Sequence, residues 1–365
     1  KIKEIFGMNG DKGRILRIRE FLREKELDAA LIFSPSNRRY MCGFTGSTGY
    51  VVITETKCCF LVDFRYQEQA LRECPDWEAV KIAGEADVCS WLCEQGFLRL
   101  GVEHDFATLR FSHLLAQKGL NAAGDISDVL LELRMVKDEE EQCRIQRACE
   151  ITDLAFEHVL ARLTEGMTEA EIDGILQSYM RAYPGVERMA DRFIVASGEH
   201  GALPHGIAGE RRVRRGDLIT MDFGCCFRGY WSDVTRTVCL GRAGERQREI
   251  YEVTLAAQEA AIQGVMPGKT GREIDGIARK VIEEAGYGEY FGHGLGHSFG
   301  LDIHESPRFA QNEAGDIPLK PGMIMTVEPG IYLPGFGGDR IEDDILLTEN
   351  GCRNLTRAAK QLIEL

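Results

Sequence analysis

Apolar positions recur along the chain at two periods, and the switches between them mark out its elements. Ile15, Leu16, Ile18, Phe21 and Leu22 fall at helical spacing and predict an amphipathic helix over 11–27. A short apolar run over 29–33 follows and reads as a buried strand. Residues 34–49 are polar and glycine-bearing, and an irregular connection is expected there. Tyr50–Thr54 and Cys58–Val62 then predict a hairpin, after which helical stretches at 66–73, 86–95 and 107–118 interleave with strands at 79–82 and 98–102. That alternation predicts an α/β unit with helices packed on a sheet. At Leu133-Arg-Met-Val-Lys-Asp-Glu-Glu-Glu141 the pattern changes. An acidic start opens a long helix over about 138–162, and acids in a first turn suit the helix dipole. The boundary is therefore placed at about 134, giving an N-terminal domain over 1–133 and a C-terminal domain over 134–365.

The C-terminal domain repeats itself. Gly166-Met-Thr-Glu-Ala-Glu-Ile-Asp-Gly-Ile175 and Gly268-Lys-Thr-Gly-Arg-Glu-Ile-Asp-Gly-Ile277 share G-x-T-x-x-E-I-D-G-I, 102 residues apart. In each, a Thr followed three residues later by Glu is a capping box that opens a helix: Thr168 with Glu171, Thr270 with Glu273. A second pair of segments, Gly216-Asp-Leu-Ile-Thr-Met-Asp-Phe-Gly224 and Gly322-Met-Ile-Met-Thr-Val-Glu-Pro-Gly330, matches at an offset of 106. Two ordered matches at nearly one offset predict two related halves, each a long helix, a capped helix and then strands.

The second pair carries the chemistry. Each strand delivers an acid, Asp222 or Glu328, and each acid has a later acidic partner, Asp233 or Glu342. A hairpin through Gly224 and Gly229 would set Asp222 and Asp233 on neighbouring strands. Residues 322–344 are expected to form a strand, a short loop and a second strand containing Glu342. Buried carboxylates without partners are very costly, and divalent metal would neutralise them. Two such ions with one bridging hydroxide would leave the four-carboxylate cluster close to neutral. Nitrogen ligands are sought among the histidines, five of whose eight members lie between 200 and 304. Phe291-Gly-His-Gly-Leu-Gly-His-Ser-Phe-Gly-Leu-Asp-Ile-His-Glu305 is the densest segment, and its glycines do not make a dinucleotide fingerprint. His293, His297 and His304 are each a candidate ligand or substrate contact, and His205 is the fourth candidate. His104 and His113 stand alone and read as structural or surface residues.

Composition narrows the partners. A formal charge of −14 over 365 residues argues against nucleic acid and against an anionic membrane surface. No apolar run approaches the ~20 residues of a membrane span, and no signal-peptide core is seen near the start. The chain begins at Lys1, and Met8 is a candidate initiator. Twelve cysteines without a C-x-x-C spacing predict reduced, mostly buried thiols and a cytoplasmic location.

On these motifs the C-terminal domain resembles the pita-bread metallopeptidases, the family of methionine aminopeptidase, aminopeptidase P and prolidase. Met221-Asp-Phe-Gly224, Ser232-Asp-Val-Thr-Arg236, Gly292-His-Gly-Leu-Gly-His297, Thr326-Val-Glu-Pro-Gly330 and Arg340-Ile-Glu-Asp343 occur in family order over about 137–350. The preceding domain, with Tyr40-Met-Cys-Gly-Phe-Thr-Gly46, resembles the N-terminal domain of the proline-specific branch. The resemblance implies an α/β N-terminal domain and an α+β pita-bread C-terminal domain with an internal pseudo-twofold repeat. It implies Asp222, Asp233, His297, Glu328 and Glu342 as metal ligands, with Asp233 and Glu342 bridging two ions. His205, His293, His304 and Arg340 fall at the branch's substrate-binding and catalytic positions. Ser298-Phe299 departs from the branch, where a Gly followed by an aliphatic residue is more frequent.

The function implied is hydrolysis of the Xaa-Pro bond at the N-terminus of short peptides, by attack of a metal-bridged hydroxide. Glu328 is the expected proton carrier. Mn²⁺ is the first metal expected at so hard a site, with Co²⁺ or Zn²⁺ as substitutes. An Xaa-Pro aminopeptidase is put first and an Xaa-Pro dipeptidase second. A non-catalytic peptide-binding module on the same fold is the third reading, and metal content would separate it. The branch commonly forms dimers, so a homodimer is expected, with the N-terminal domain limiting substrate length.

Overall fold

The computed structural model describes residues 11–365, so Met8 lies outside the described residues. The chain divides between Arg134 and Met135 into two compact units.

In the first unit the expected helix forms at Asp11–Glu24 and buries Ile18 and Leu22. The expected strands form one mixed six-stranded sheet. Its order is Glu78–Lys81, Cys58–Val62, Tyr50–Thr54, Ala29–Ile32, Arg99–Val102, Asn121–Asp125. Tyr50–Thr54 and Cys58–Val62 are an antiparallel hairpin, and the outer pairs are parallel. Residues 34–49 depart from the expected connection, because Pro35–Cys42 is a helix. Ser34 caps it by accepting from the Asn37 N–H, proline stands in its first turn, and Gly43 ends it at φ 77. Glu103, only 2% exposed, fixes this start by accepting from the Ser34 N–H at 2.9 Å and the Ser34 hydroxyl at 2.6 Å. Glu103, at a distant strand end, thus steadies a helix start whose Ser, Pro and Gly signals are local. Asn121–Asp125 and the helix Ser127–Met135 also form without having been expected.

The second unit is built twice. Long helices Glu139–Leu160 and Glu245–Gly264 are each followed by a capped helix, Glu169–Arg181 or Gly271–Glu284. Both capping boxes are present, Thr168 with Glu171 and Thr270 with Glu273. Each such cap contributes about 1 kcal/mol. Asp173 accepts from the Phe193 N–H at 3.1 Å in the first half, and Asp275 from the Leu295 N–H at 2.9 Å in the second. Gly166 and Gly268, both at φ 88, donate to Val213 and Leu319 at 2.9 Å each. Each half closes its own core. One gathers Ile151, Phe156, Ile172 and Leu176, and the other Ile250, Ile274, Ala278 and Ile282.

The strands follow the same plan. A four-stranded sheet runs Ile363–Glu364, Val234–Cys239, Leu218–Phe223, Ile194–Ser197. A five-stranded sheet runs Glu305–Phe309, Gly296–Ser298, Ile324–Val327, Asp343–Thr348, Gly351–Asn354. The reversal after the second sheet's acid-bearing strand is longer than the short loop expected. It contains a two-stranded hairpin, Gly330–Leu333 with Gly337–Arg340, and Glu342 precedes the strand Asp343–Thr348 instead of lying in it. All twelve cysteines are free thiols. Among the described residues no helix is long and apolar enough to cross a membrane.

Candidate metal centre

Strand register decides which side chains meet. Asp222 lies opposite Thr235 in the antiparallel pair Leu218–Phe223 and Val234–Cys239, with Asp233 one residue before the second strand. Val327 lies opposite Asp343, which sets Glu328 and Glu342 just beyond the matching end of the other pair. Asp222, Asp233 and Glu342 bring ligand atoms within 4.8 Å of one another. His297 Nε2 stands 3.8 Å from Asp233 Oδ2 and 3.4 Å from Glu328 Oε1. All five sequence-predicted ligands therefore stand in one cluster.

Each of them is held from behind. The Thr235 hydroxyl donates to Glu342 at 2.6 Å, and the Thr326 hydroxyl to Glu328 at 3.1 Å. The Asp233 N–H donates to Asp344 Oδ2 at 3.0 Å, and the Arg236 guanidinium donates to the Glu342 carbonyl. Arg236 is itself fixed by a buried ion pair with Asp343 at 2.7 Å. Breaking such a pair costs about 3–5 kcal/mol. Arg340, 3% exposed, reaches Asp222 at 2.6 Å, the Tyr332 hydroxyl at 2.8 Å and the Pro204 carbonyl at 3.1 Å.

The electrostatics ask for a cation. Burial, then the charges of Asp222, Asp344 and Glu328, push Asp233 well above the carboxylate range. Burial and the charges of Asp233, Glu328 and Asp222 do the same to Glu342. Burial raises Glu328 to about 7, with Arg340 opposing and Asp222 adding. Burial also lowers His297 to about 3, so its imidazole is neutral. His297 Nδ1 faces the Ser298 carbonyl at 3.1 Å and must carry the proton. That leaves Nε2 as a bare lone pair aimed at Asp233 and Glu328, whose anionic forms burial and mutual repulsion disfavour. A divalent cation resolves this conflict, and the donor set of one imidazole and four carboxylates suits a hard one. The residues present fit the metal that the sequence implied.

The remaining candidates divide. His293 Nδ1 faces the Gly294 carbonyl at 2.8 Å, so its Nε2 accepts from the Tyr332 hydroxyl at 2.9 Å. Burial lowers His293 to about 4, and it ends a relay from Arg340 through Tyr332. The His304 ring lies 4.5 Å from that of His297, edge to face. His205 is exposed and close enough to His293 and His304 for its charge to depress both. Ser298 is buried and accepts from Lys137 at 2.9 Å, beside a Lys137–Glu305 ion pair at 3.2 Å. The unusual serine is thus absorbed by a buried ion pair beside His297.

Sequence reasoning missed Tyr332, Asp344 and Arg308. Tyr332 and Asp344 carry no local signal, because their partners come from remote segments. Arg308 is set apart only by its strand register opposite His297, which the sequence does not show.

Residues 143–349 match Metallopeptidase family M24, and residues 14–136 match the Creatinase/Prolidase N-terminal domain. The chain belongs to the M24 metallopeptidases. Within that family it falls in the proline-specific branch, with a creatinase-type α/β domain ahead of a pita-bread catalytic domain built as an internal repeat. Among solved structures, an Xaa-Pro dipeptidase from Bacillus anthracis is 40% identical with a TM-score of 0.93. The match covers 98% of this chain and all of that one. A prolidase from Pyrococcus horikoshii is 38% identical over 96% of this chain and 99% of its own, with a TM-score of 0.91. An X-Pro aminopeptidase from Thermotoga maritima is 36% identical over 96% of this chain and 100% of its own, with a TM-score of 0.88. This M24 enzyme is a hydrolase, and its family implies divalent metal ions. The two most similar of these structures carry dipeptidase or prolidase names, which reverses the order in which the sequence put the two activities.

Proposed function

We propose that this peptidase is an Xaa-Pro dipeptidase that uses two divalent ions held by Asp222, Asp233, His297, Glu328 and Glu342. The carrying observation is Arg308. It lies opposite His297 across paired strands, so both side chains project from one face. Its charge reaches His297, His304 and Glu328. Among the described residues no carboxylate pairs with its exposed side chain. A dipeptide ends in a carboxylate on the proline itself, whereas a longer peptide has a neutral amide there. An unpaired guanidinium on the same strand face as His297 favours the charged end. The names of the relatives support the same choice.

When bound, the ions would supply Lewis acidity and a nucleophilic water near neutral pH. The chain's own residues do the rest. Glu328, steadied by Thr326, carries a proton to the proline nitrogen, which has no N–H of its own. His205 and His304 contact the substrate, while Arg340 and Tyr332 fix Asp222 and His293. The row Thr235, Asp222, Ile194, Ile207 continues across neighbouring strands on one face, which offers an apolar bed for the first side chain. Mn²⁺ as the working metal and a homodimer as the assembly belong to the same reading, and metal analysis and light scattering would check them.

The test is kcat/KM for Leu-Pro against Leu-Pro-Gly in wild type and R308A. Wild type is expected to prefer the dipeptide. R308A should lower the dipeptide rate about 10- to 100-fold, the worth of a hydrogen bond to a charged group, and leave the tripeptide nearly unchanged. Equal rates on both substrates in wild type would restore the aminopeptidase reading.

A further inference from the structure

His205 is held by nothing of its own. Among the described residues its ring makes no hydrogen bond or ion pair, and it sits at the crown of the stretch between Ser197 and Gly209. Its position is therefore the position of that loop's backbone. Leu203 and Ile207 near it are 57% and 55% exposed, and the crown is tied down by buried Gly206 and the Ile194–Ile207 bridge on one side of His205 and by Arg340 at Pro204 on the other.

One carboxylate gathers both ends of the loop. Glu169 is fully buried at the first position of the helix Glu169–Arg181, directly after its Thr168 cap. Its Oε1 accepts from the Ser197 N–H and the Ser197 hydroxyl, both at 2.8 Å, where the loop begins. Its Oε2 accepts from the Gly209 N–H at 3.3 Å, where the loop ends. His200 Nδ1 faces both oxygens, at 3.0 and 2.9 Å, and must donate, because an ionised carboxylate only accepts. The beginning, the shoulder and the end of the loop thus converge on one side chain. On the other side the loop meets the hairpin that carries Arg340. Gly201 and Gly338 approach so closely that a Cβ on Gly338 would stand 2.5 Å from the Gly201 carbonyl, and Arg340 holds Pro204.

We propose that Glu169 is a positioning residue for His205, acting through Ser197, His200 and Gly209 to set where the imidazole meets the substrate. The repeat sharpens this. The equivalent position in the second half is Gly271, whose bare backbone packs against the Arg308 carbonyl. The carboxylate is therefore no requirement of the repeated framework, and it is present only in the half whose loop bears an unsupported histidine. The proposal rests on the reading above that His205 contacts substrate.

The experiment is a double-mutant cycle on the full-length, metal-loaded protein, with kcat and KM for Leu-Pro, bound metal and thermal midpoint measured for each variant. E169Q keeps the shape but turns an N–H₂ toward groups that need an acceptor. It should lower kcat about tenfold or more, as expected when a catalytic group is displaced by a fraction of an ångström, with metal content at wild-type level. In an H205A background the same change should have little further effect, because the residue it positions is gone. H200A removes one arm of the clasp without touching the helix start, and it should repeat the pattern more weakly if E169Q folds poorly. Multiplicative losses in the double variants, for both E169Q and H200A, would overturn the positioning role. An H205A variant with wild-type turnover would instead overturn the reading on which it rests.

Discussion

The two halves of the catalytic unit share a skeleton and divide the chemistry. Each supplies a capped helix, an Asp that ties the helix to a strand start, and two carboxylates at the end of a strand pair. The difference lies one or two residues beyond those strand starts. In the first half Phe193 leads to Val195, which is buried in the core. In the second half Leu295 leads to His297, which reaches the carboxylates. The reversals differ as well. Residues 224–232 return through a short hairpin, Cys226–Phe227 with Tyr230–Trp231, while the second half returns through a longer one that bears Tyr332 and Arg340. The repeat thus sets out a symmetric acidic frame, and the histidine that faces it and the Arg340–Tyr332–His293 relay belong to one half alone.

That comparison can be broken most severely at the carboxylates. D233N and E342Q occupy equivalent places and should lose turnover alike, on the order of 10³-fold, the worth of several kcal/mol of metal-assisted charge stabilisation. Both should also retain less metal by elemental analysis. A large loss in one and none in the other would show that the halves do not share the site.

The next largest effect should fall on framework positions that differ between halves. A Cβ on Gly271 would stand 2.0 Å from the Arg308 carbonyl, so G271A should cost about 3 kcal/mol by denaturant unfolding, as overpacking does. By contrast, Gly174 has open space and lies mid-helix, and Gly276 meets only Gln311 at 3.8 Å. G174A and G276A should each stabilise by about 0.5–1 kcal/mol. An effect of similar size and opposite sign is expected at the caps: T168A and T270A remove equivalent caps and should each cost about 1 kcal/mol with metal binding intact.

Much of this frame was legible in the sequence because it rests on local rules. Capping boxes, glycine turns at Gly216 and Gly322, and apolar strands ending in acid are each written within about ten residues. What escaped depends on distant partners. Pro35–Cys42 begins at a Ser34 cap that Glu103 holds in place from a distant strand end. Asn121–Asp125 has no β-branched residue, and it becomes a strand by pairing with Arg99–Val102. Tyr332 gains its role from an arginine and a histidine brought together by folding. Arg308 looked like any exposed charge until its register against His297 was known.

The central claim is that two related halves give two carboxylates each, and one of them a single histidine, to a pair of cations. Titration of metal-free protein with Mn²⁺, followed by calorimetry and by Leu-Pro hydrolysis, tests it most directly. The expected result is two equivalents bound per chain in wild type, with activity lost on chelation and restored by the metal. H297A should bind less metal, while H304A should keep both equivalents and lose turnover. Full activity in metal-free protein, or loss of metal from H304A with H297A unchanged, would contradict the account.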